Sequence, residues 1–254
     1  MEAHLTKFSD KVDPLYVNKP CIEYHERQFA EPYRSTVHLI QFLKQKLELD
    51  SQQLSVLDVA CGAGANILHL SRAFPHFKWT GLELSQTVID AGTPYLRKHA
   101  VNADLRAGDL YRMHQEFSPR SFDLVLFLQT YFSLEHAEEA LDQLLKVSRG
   151  WVVISSLFTE FPIDAKIQAF DYSGDKDRQG PFLYNIYSLP RFEELCRAKG
   201  ATQIIFEDFE MDIDIAPPPE GRLGTYTRRL ENQKRLQFSG PILMPWKIVA
   251  IRMP

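Results

Sequence analysis

Asp58, Gly62, Gly64 and Glu83 are the positions whose types and spacing speak most directly of chemistry. Residues 56–66 read Val-Leu-Asp-Val-Ala-Cys-Gly-Ala-Gly-Ala-Asn, an apolar run ending in a Gly-Ala-Gly turn. A helical pattern (Ile67, Leu68, Leu70, Ala73, Phe74) starts at once. A buried strand thus reaches a helix N-terminus through a turn of little side-chain bulk, where backbone N–H groups and the helix dipole can approach a ligand. Asp58 makes the pattern specific, because a phosphate loop has no use for a carboxylate inside that strand and a cationic ligand does. Glu83 closes a second expected strand, where a carboxylate can accept both hydroxyls of a ribose. The plainer readings are an Asp58 that only shapes the loop and a Glu83 that is a solvated strand end. A ligand with both a cation and a ribose would use both acids.

S-adenosylmethionine is such a ligand. The stretch 56–64, followed by Gly81-Leu82-Glu83-Leu84-Ser85, resembles the seven-strand, class I S-adenosylmethionine-dependent methyltransferases. Gly108-Asp109-Leu110 sits where that family has an acid after its third strand, and Ser121–Leu126 and Trp151–Ser155 resemble its fourth and fifth strands. The resemblance covers residues 54–160 closely and the C-terminus more loosely. It implies an α/β, Rossmann-like fold with a seven-stranded, mostly parallel sheet and a final antiparallel hairpin. It implies S-adenosyl-L-methionine as methyl donor and S-adenosyl-L-homocysteine as product. It also implies that Asp109 accepts from the adenine amine and that Leu84 and Leu110 sandwich the ring. A leading helix in this family often folds over the cofactor. Arg34 is the candidate for the cofactor carboxylate, which suits a planar guanidinium, with Tyr24 and Tyr33 as lid residues. One departure is Ala60, where the family usually has Gly; its methyl group faces the methionine end of the cofactor.

Ligands bind at the C-terminal ends of strands in open α/β sheets. Strand four ends in Gln129-Thr130-Tyr131-Phe132, so these residues are expected to face the transferred methyl. Gln129 would hold the substrate or the methionine end, and Tyr131 either lines the acceptor pocket or packs in the core. Methyl transfer is an in-line attack whose largest requirement is alignment, and a hydroxyl acceptor gains from a nearby base. His25, His136 and Glu26 are available, and no spacing separates them; His25 is preferred for its place in the lid segment. Arg222, Tyr226 and Trp246 would contact an acidic or sugar-like acceptor, or are surface and core residues. Metal-using members of the family place an Asp where this chain has Gln129-Thr130, so no metal is expected. The cluster Asp164, Asp171, Asp175, Asp177 lacks a calcium-loop pattern.

Two other classes stay open. A nicotinamide-dependent oxidoreductase also uses a strand, a Gly-rich turn and a later acid, but Ile67 replaces its third glycine. A cofactor-binding partner subunit without turnover is the other. The net charge of −4 gives no basic footprint for nucleic acid, and no Asn/Asp-Pro-Pro-aromatic motif follows strand four. Segments 24–36 and 221–246 look similar to bacterial methyltransferases of surface-sugar or secondary-metabolite pathways. The expected acceptor is therefore a small molecule, by O-methylation of a sugar or nucleotide-linked sugar, with N-methylation of a small amine as the alternative.

The elements that must position these residues read as one domain over 1–254: a helical cap (1–50), a cofactor-binding core (51–160), an insertion over the active site (158–187) and a C-terminal helix with a strand hairpin (188–254). Apolar periodicity gives a helix over 35–49 capped by Ser35 or Thr36, and strands at 55–60, 77–83, 102–107, 121–128 and 151–157. Helices are expected over 64–74, from Ser85 with a kink or restart at Gly92-Thr93-Pro94, and over 135–148 with Gly150 as the stop. A helix over 190–199, a strand over 201–211, a long loop over 212–245 and a strand over 246–253 complete the chain. Three scattered cysteines suit a reducing compartment. No stretch approaches the ~20 apolar residues of a membrane helix, and no signal-like start is seen. A cytoplasmic protein is expected, and a homodimer stays open.

Overall fold

Apolar strands alternate with amphipathic helices through the first half of the chain, and in the computed structural model they pair as that alternation requires. The structure describes residues 19–172, 181–218 and 224–254, with side chains from His25 onward. These fall into two compact units. One takes the described residues up to Leu128 with Glu138–Val153 and Arg252–Pro254, and the other takes Gln129–Ala137 and the described part of Ile154–Ile251.

In the first unit, α1 (Lys19–Ala30) and α2 (Arg34–Gln45) precede β1 (Ser55–Val59), α3 (Ala65–Ala73), β2 (Lys78–Glu83), α4 (Gln86–Lys98) and β3 (Ala103–Ala107). A 3-10 turn (Leu110–Arg112) and the short α5 (Met113–Glu116) lead to β4 (Phe122–Leu128). Then come α6 (Ala137–Val147) and β5 (Ser148–Thr159), whose first half belongs to this unit. The strand order is β3-β2-β1-β4-β5, with β3–β2, β2–β1 and β1–β4 parallel. Val56, Leu57, Leu124, Val125, Leu126 and Phe127 are all buried, as a parallel sheet covered on both faces demands. At the start of β1 and β4, Asp123 accepts from the Ser55 N–H at 2.9 Å and from Arg149 Nε at 2.7 Å. This clamp fixes the end of the sheet opposite to the glycine turn.

The second unit holds the rest of β5, then β6 (Ala165–Ala169), β7 (Phe182–Ser188), α7 (Leu189–Ala198), β8 (Gln203–Asp208) and β12 (Trp246–Arg252), nearly all of which lies here. Here β12 lies between β5 and β8, β6 and β7 form an antiparallel pair, and β7 joins the end of β5 in parallel. A separate antiparallel sheet is made of β9 (Thr225–Arg229), β10 (Arg235–Ser239) and β11 (Ile242–Leu243). No described helix is long and apolar enough to cross a membrane.

Four local expectations are corrected. Gly150 does not stop α6. It lies inside β5, where a Cβ would fall 2.2 Å from the Asp123 carbonyl oxygen, so close backbone approach is what demands glycine. Helix α4 does not restart at Gly92: it runs through with Pro94 inside, and the Thr93 hydroxyl turns back to the Ile89 carbonyl at 2.8 Å. The 212–245 stretch is not one loop but carries the β9–β11 sheet. Neither Ser35 nor Thr36 caps α2; Tyr33 holds the cap position, and Thr36 Oγ1 donates instead to Asn66 Oδ1 at 2.8 Å, tying α2 to α3. Glu31 precedes Pro32, a position that resists helical backbone, and this separates α1 from α2.

Candidate active site

The turn after β1 winds through three residues with left-handed backbone, Ala60 (φ 56°), Gly62 (φ 54°) and Gly64 (φ 87°). Gly64 stands at the N-cap of α3 without a side-chain cap, so the first N–H groups of the helix are not taken by a capping side chain. The turn is held from several sides. A Cβ on Gly92 would overlap the Ala63 carbonyl oxygen at 1.9 Å, so α4 presses directly on the turn backbone. A Cβ on Gly81 would lie 2.7 Å from Cys61 Sγ, so β2 makes room for that buried thiol beneath the turn. The Cys61 N–H donates to the Leu82 carbonyl at 3.1 Å and the Gly64 N–H to that of Cys61 at 3.0 Å. Sequence reasoning missed the part of Gly81 and Gly92. Their signal was a glycine inside a strand and another inside a helical pattern, each a mark of close approach.

Parallel register brings the acids to one edge. Asp58 lies beside Gly81, Glu83 beside Ala107, and the Gly108 N–H donates to the Glu83 carbonyl at 2.9 Å, so Asp58, Glu83 and Asp109 end three adjacent strands. Glu83 is buried rather than a solvated strand end. Its Oε2 accepts from the Gly62 N–H at 3.0 Å and its Oε1 from the Ser85 N–H at 3.1 Å, so both oxygens are oriented by backbone donors. Ser85 caps α4, as expected. Asp109 is half-buried, and its Oδ1 accepts from the Tyr111 N–H at 2.9 Å, capping the 3-10 turn. Leu84 and Leu110 are half-buried beside these acids in sequence.

Asp58 differs from the other two. It is 1 % exposed, and its Oδ2 makes no hydrogen bond within the protein. Burial, then the neighbouring Glu83 charge, pushes its carboxyl up to about 8. The same surroundings raise the Cys61 thiol well above the usual range, chiefly through burial. A buried acceptor without a donor is costly, and one that a cation or N–H donor would satisfy fits the ligand expected from the sequence. Together with the uncapped start of α3 and the oriented Glu83, it leaves the turn with an acceptor open to a cationic or N–H donor and a carboxylate set in place beside it.

His25 is buried on α1, and its ring covers Gly62: a Cβ there would fall 2.9 Å from His25 Cε1. Burial lowers its pKa, which keeps the imidazole neutral. Helix α1 is pinned by Gln28, whose carbonyl lies 2.7 Å from His69 Nε2, and by Phe29, stacked on Tyr95 at 4.6 Å. Arg34 and Tyr33 are exposed at the start of α2. Tyr24 lies in α1, and its side chain is outside the described residues, as is Arg222.

Within the second unit, Gln129 adopts a left-handed backbone (φ 56°) and its N–H donates to the Ser155 carbonyl at 2.9 Å. Tyr131 is buried among Tyr187, Phe192 and Phe158, with ring centres 4.9, 5.8 and 6.5 Å away. That is the packing role that its sequence left open. Trp246 packs edge-on against Phe132 at 5.4 Å, and Tyr226 stacks on Phe238 at 5.4 Å beneath Arg228. His136 is half-buried just ahead of α6.

Residues 56–150 match the model of a methyltransferase domain. Over those residues the chain carries the sequence pattern of that domain. Solved structures that share its fold include methyltransferases with bound S-adenosylhomocysteine. A phosphoethanolamine N-methyltransferase from Haemonchus contortus, in complex with phosphomonomethylethanolamine and S-adenosylhomocysteine, superposes with a TM-score of 0.61 at 15% identity, covering 97% of this chain and 60% of that one. The magnesium protoporphyrin IX methyltransferase of Synechocystis, with bound S-adenosylhomocysteine, gives 0.57 at 12% identity, covering 94% and 97%. The YcgJ protein of Bacillus subtilis gives 0.56 at 14% identity, covering 87% and 100%. At these identities the likeness is one of fold.

Proposed function

We propose that the protein is an active enzyme that methylates a small molecule, at the hydroxyl of a sugar or nucleotide-linked sugar. The observation that carries the methyltransferase reading is the orphaned Asp58 Oδ2 beside a Glu83 whose oxygens are both set by backbone N–H groups. When bound, the cofactor supplies a methyl group on a sulfonium centre, open to in-line displacement. Asp58 holds the amino group of the donor, directly or through water, and Glu83 accepts the ribose hydroxyls. Asp109 receives the adenine amine, with Leu84 and Leu110 against the ring and Ala60 beside the methionine end. Arg34, with Tyr24 and Tyr33, serves the donor's carboxylate from the helical lid. A hydroxyl acceptor gains from a base; of the candidates His25 and His136, the buried His25 is a weak proton acceptor, because burial lowers its pKa.

The sugar reading is supported by the resemblance of segments 24–36 and 221–246 to sugar- and metabolite-modifying relatives. N-methylation of a small amine is the second reading, favoured by the fold shared with the phosphoethanolamine enzyme. A metal-independent reaction in the cytoplasm completes the proposal. Calorimetry should find S-adenosylhomocysteine bound at micromolar Kd, about −8 kcal/mol, and no binding of nicotinamide dinucleotides; the reverse pattern overturns the assignment. Cofactor turnover over a panel of nucleotide-sugars and small amines then separates O- from N-transfer, and turnover with neither class would favour a non-catalytic partner subunit.

A further inference from the structure

Helix α1 is held to its neighbours by Gln28, Phe29 and Glu26. The Gln28 carbonyl meets His69, Phe29 stacks on Tyr95, and Glu26 Oε1 accepts from the Tyr95 hydroxyl at 3.1 Å. With the helix seated on α3 and α4 by these contacts, the depth of the imidazole over the glycine turn is set by the backbone of α1. The ring then occupies the volume that a side chain at position 62 would take, 2.9 Å from Cε1 and 3.2 Å from Nδ1 to the site of a Cβ. Gly62 is also the residue whose N–H orients Glu83 Oε2. A path of direct contacts therefore runs from α1, through the ring and Gly62, to the carboxylate assigned to the ribose.

We propose that His25 is a positioning residue for the cofactor: its ring buttresses Gly62 and so holds Glu83 in its ribose-accepting orientation, rather than drawing a proton from the acceptor. This rests on reading the turn as the cofactor site. A neutral ring suits the role, since an imidazolium would repel a cationic ligand at the same turn. Desolvation, which lowers the pKa of His25, works in that direction.

The test is a cycle read by S-adenosylhomocysteine affinity. His25→Ala should weaken binding about tenfold, whereas His25→Met, which restores the volume without a titratable group, should stay within about threefold of the wild type. Gly62→Ala should weaken binding strongly in the wild type, through backbone strain and collision with the ring. In the His25→Ala background its effect should shrink by at least threefold, because only the strain remains. Additive effects, or a His25→Ala protein that binds normally, overturn the proposal. So does a His25→Met protein as weak as His25→Ala, because volume would then not be what matters. If Gly62→Ala does not fold, the His25 pair alone decides. A wild-type protein that fails to bind S-adenosylhomocysteine would instead strike down the cofactor reading, so the two failures are told apart.

Discussion

At the scale of single residues, the acids after β1 and β2 were readable because a carboxylate in an apolar strand end has few structural uses. What the sequence could not disclose is that Asp58 is fully buried with one oxygen unmet, since that depends on β2, β4 and the turn closing round it. The consequence is a pH dependence. The folded pKa of about 8 stands above the unfolded value of about 3.9, so the folded state binds the extra proton. The stabilising contribution is complete below about pH 4 and is lost as pH rises through about 8. Its steepest slope is about 1.4 kcal/mol per pH unit, the limit for one proton. Urea unfolding of the cofactor-free protein between pH 6 and 8.5 should show this slope, and Asp58→Asn should flatten it; equal slopes would show that Asp58 titrates normally. Ala60 offers a second test. A left-handed Ala costs about 1–2 kcal/mol and the entropy of Gly about 0.5–1 kcal/mol. Ala60→Gly should therefore stabilise the protein by roughly 0.5–1 kcal/mol, and a lower urea midpoint would contradict the strain. The glycine usual in this family is explained by backbone as much as by room for a ligand.

Elements with a strong apolar period were legible nearly to the residue. Strand β4 was expected at 121–128 and runs Phe122–Leu128, and α3 was expected at 64–74 and runs Ala65–Ala73. Misreadings arose where one sequence signal serves two structures. A glycine after a helical period, as at Gly150, looks like a helix stop, and only the neighbouring strand reveals that the glycine admits the Asp123 carbonyl. The β9–β11 sheet hid because its strands are short and the first, Thr-Tyr-Thr-Arg-Arg, has no clean alternation. Thr36 looked like a cap because its true partner, Asn66, is distant in sequence. The two close-packed glycines should separate scaffold from site. Gly150→Ala should cost about 1–3 kcal/mol, as overpacking does, without changing S-adenosylhomocysteine affinity in the folded fraction, because it sits at the sheet end held by Asp123 and Arg149. Gly92→Ala pushes on the Ala63 carbonyl inside the cofactor turn and should lose both stability and affinity. Paired melting and titration experiments decide, and equal affinity losses for the two variants would mean that the turn is not the binding element.

For the whole molecule, the chain divides into two compact units, and the division cuts β5 between Val153 and Ile154. Composition and charge revealed the class of protein but not this division, because it lies within one unbroken apolar strand. The first six residues of β5 fall in the first unit and its last six in the second, so the expectation is that the two unfold together. The acids proposed to hold the cofactor all lie in the first unit, and a ligand that binds only the native state stabilises whatever unfolds with its site. At a concentration one hundred times Kd, S-adenosylhomocysteine should add about 2.7 kcal/mol, which raises the melting temperature of a chain this long by about 5–10 °C. Scanning calorimetry should therefore show one transition that moves as a whole, with tryptophan fluorescence from Trp246 in the second unit shifting in step with Trp79 and Trp151 in the first. Two transitions, with only the earlier residues responding to ligand, would show that β5 does not couple the units and that each folds on its own account.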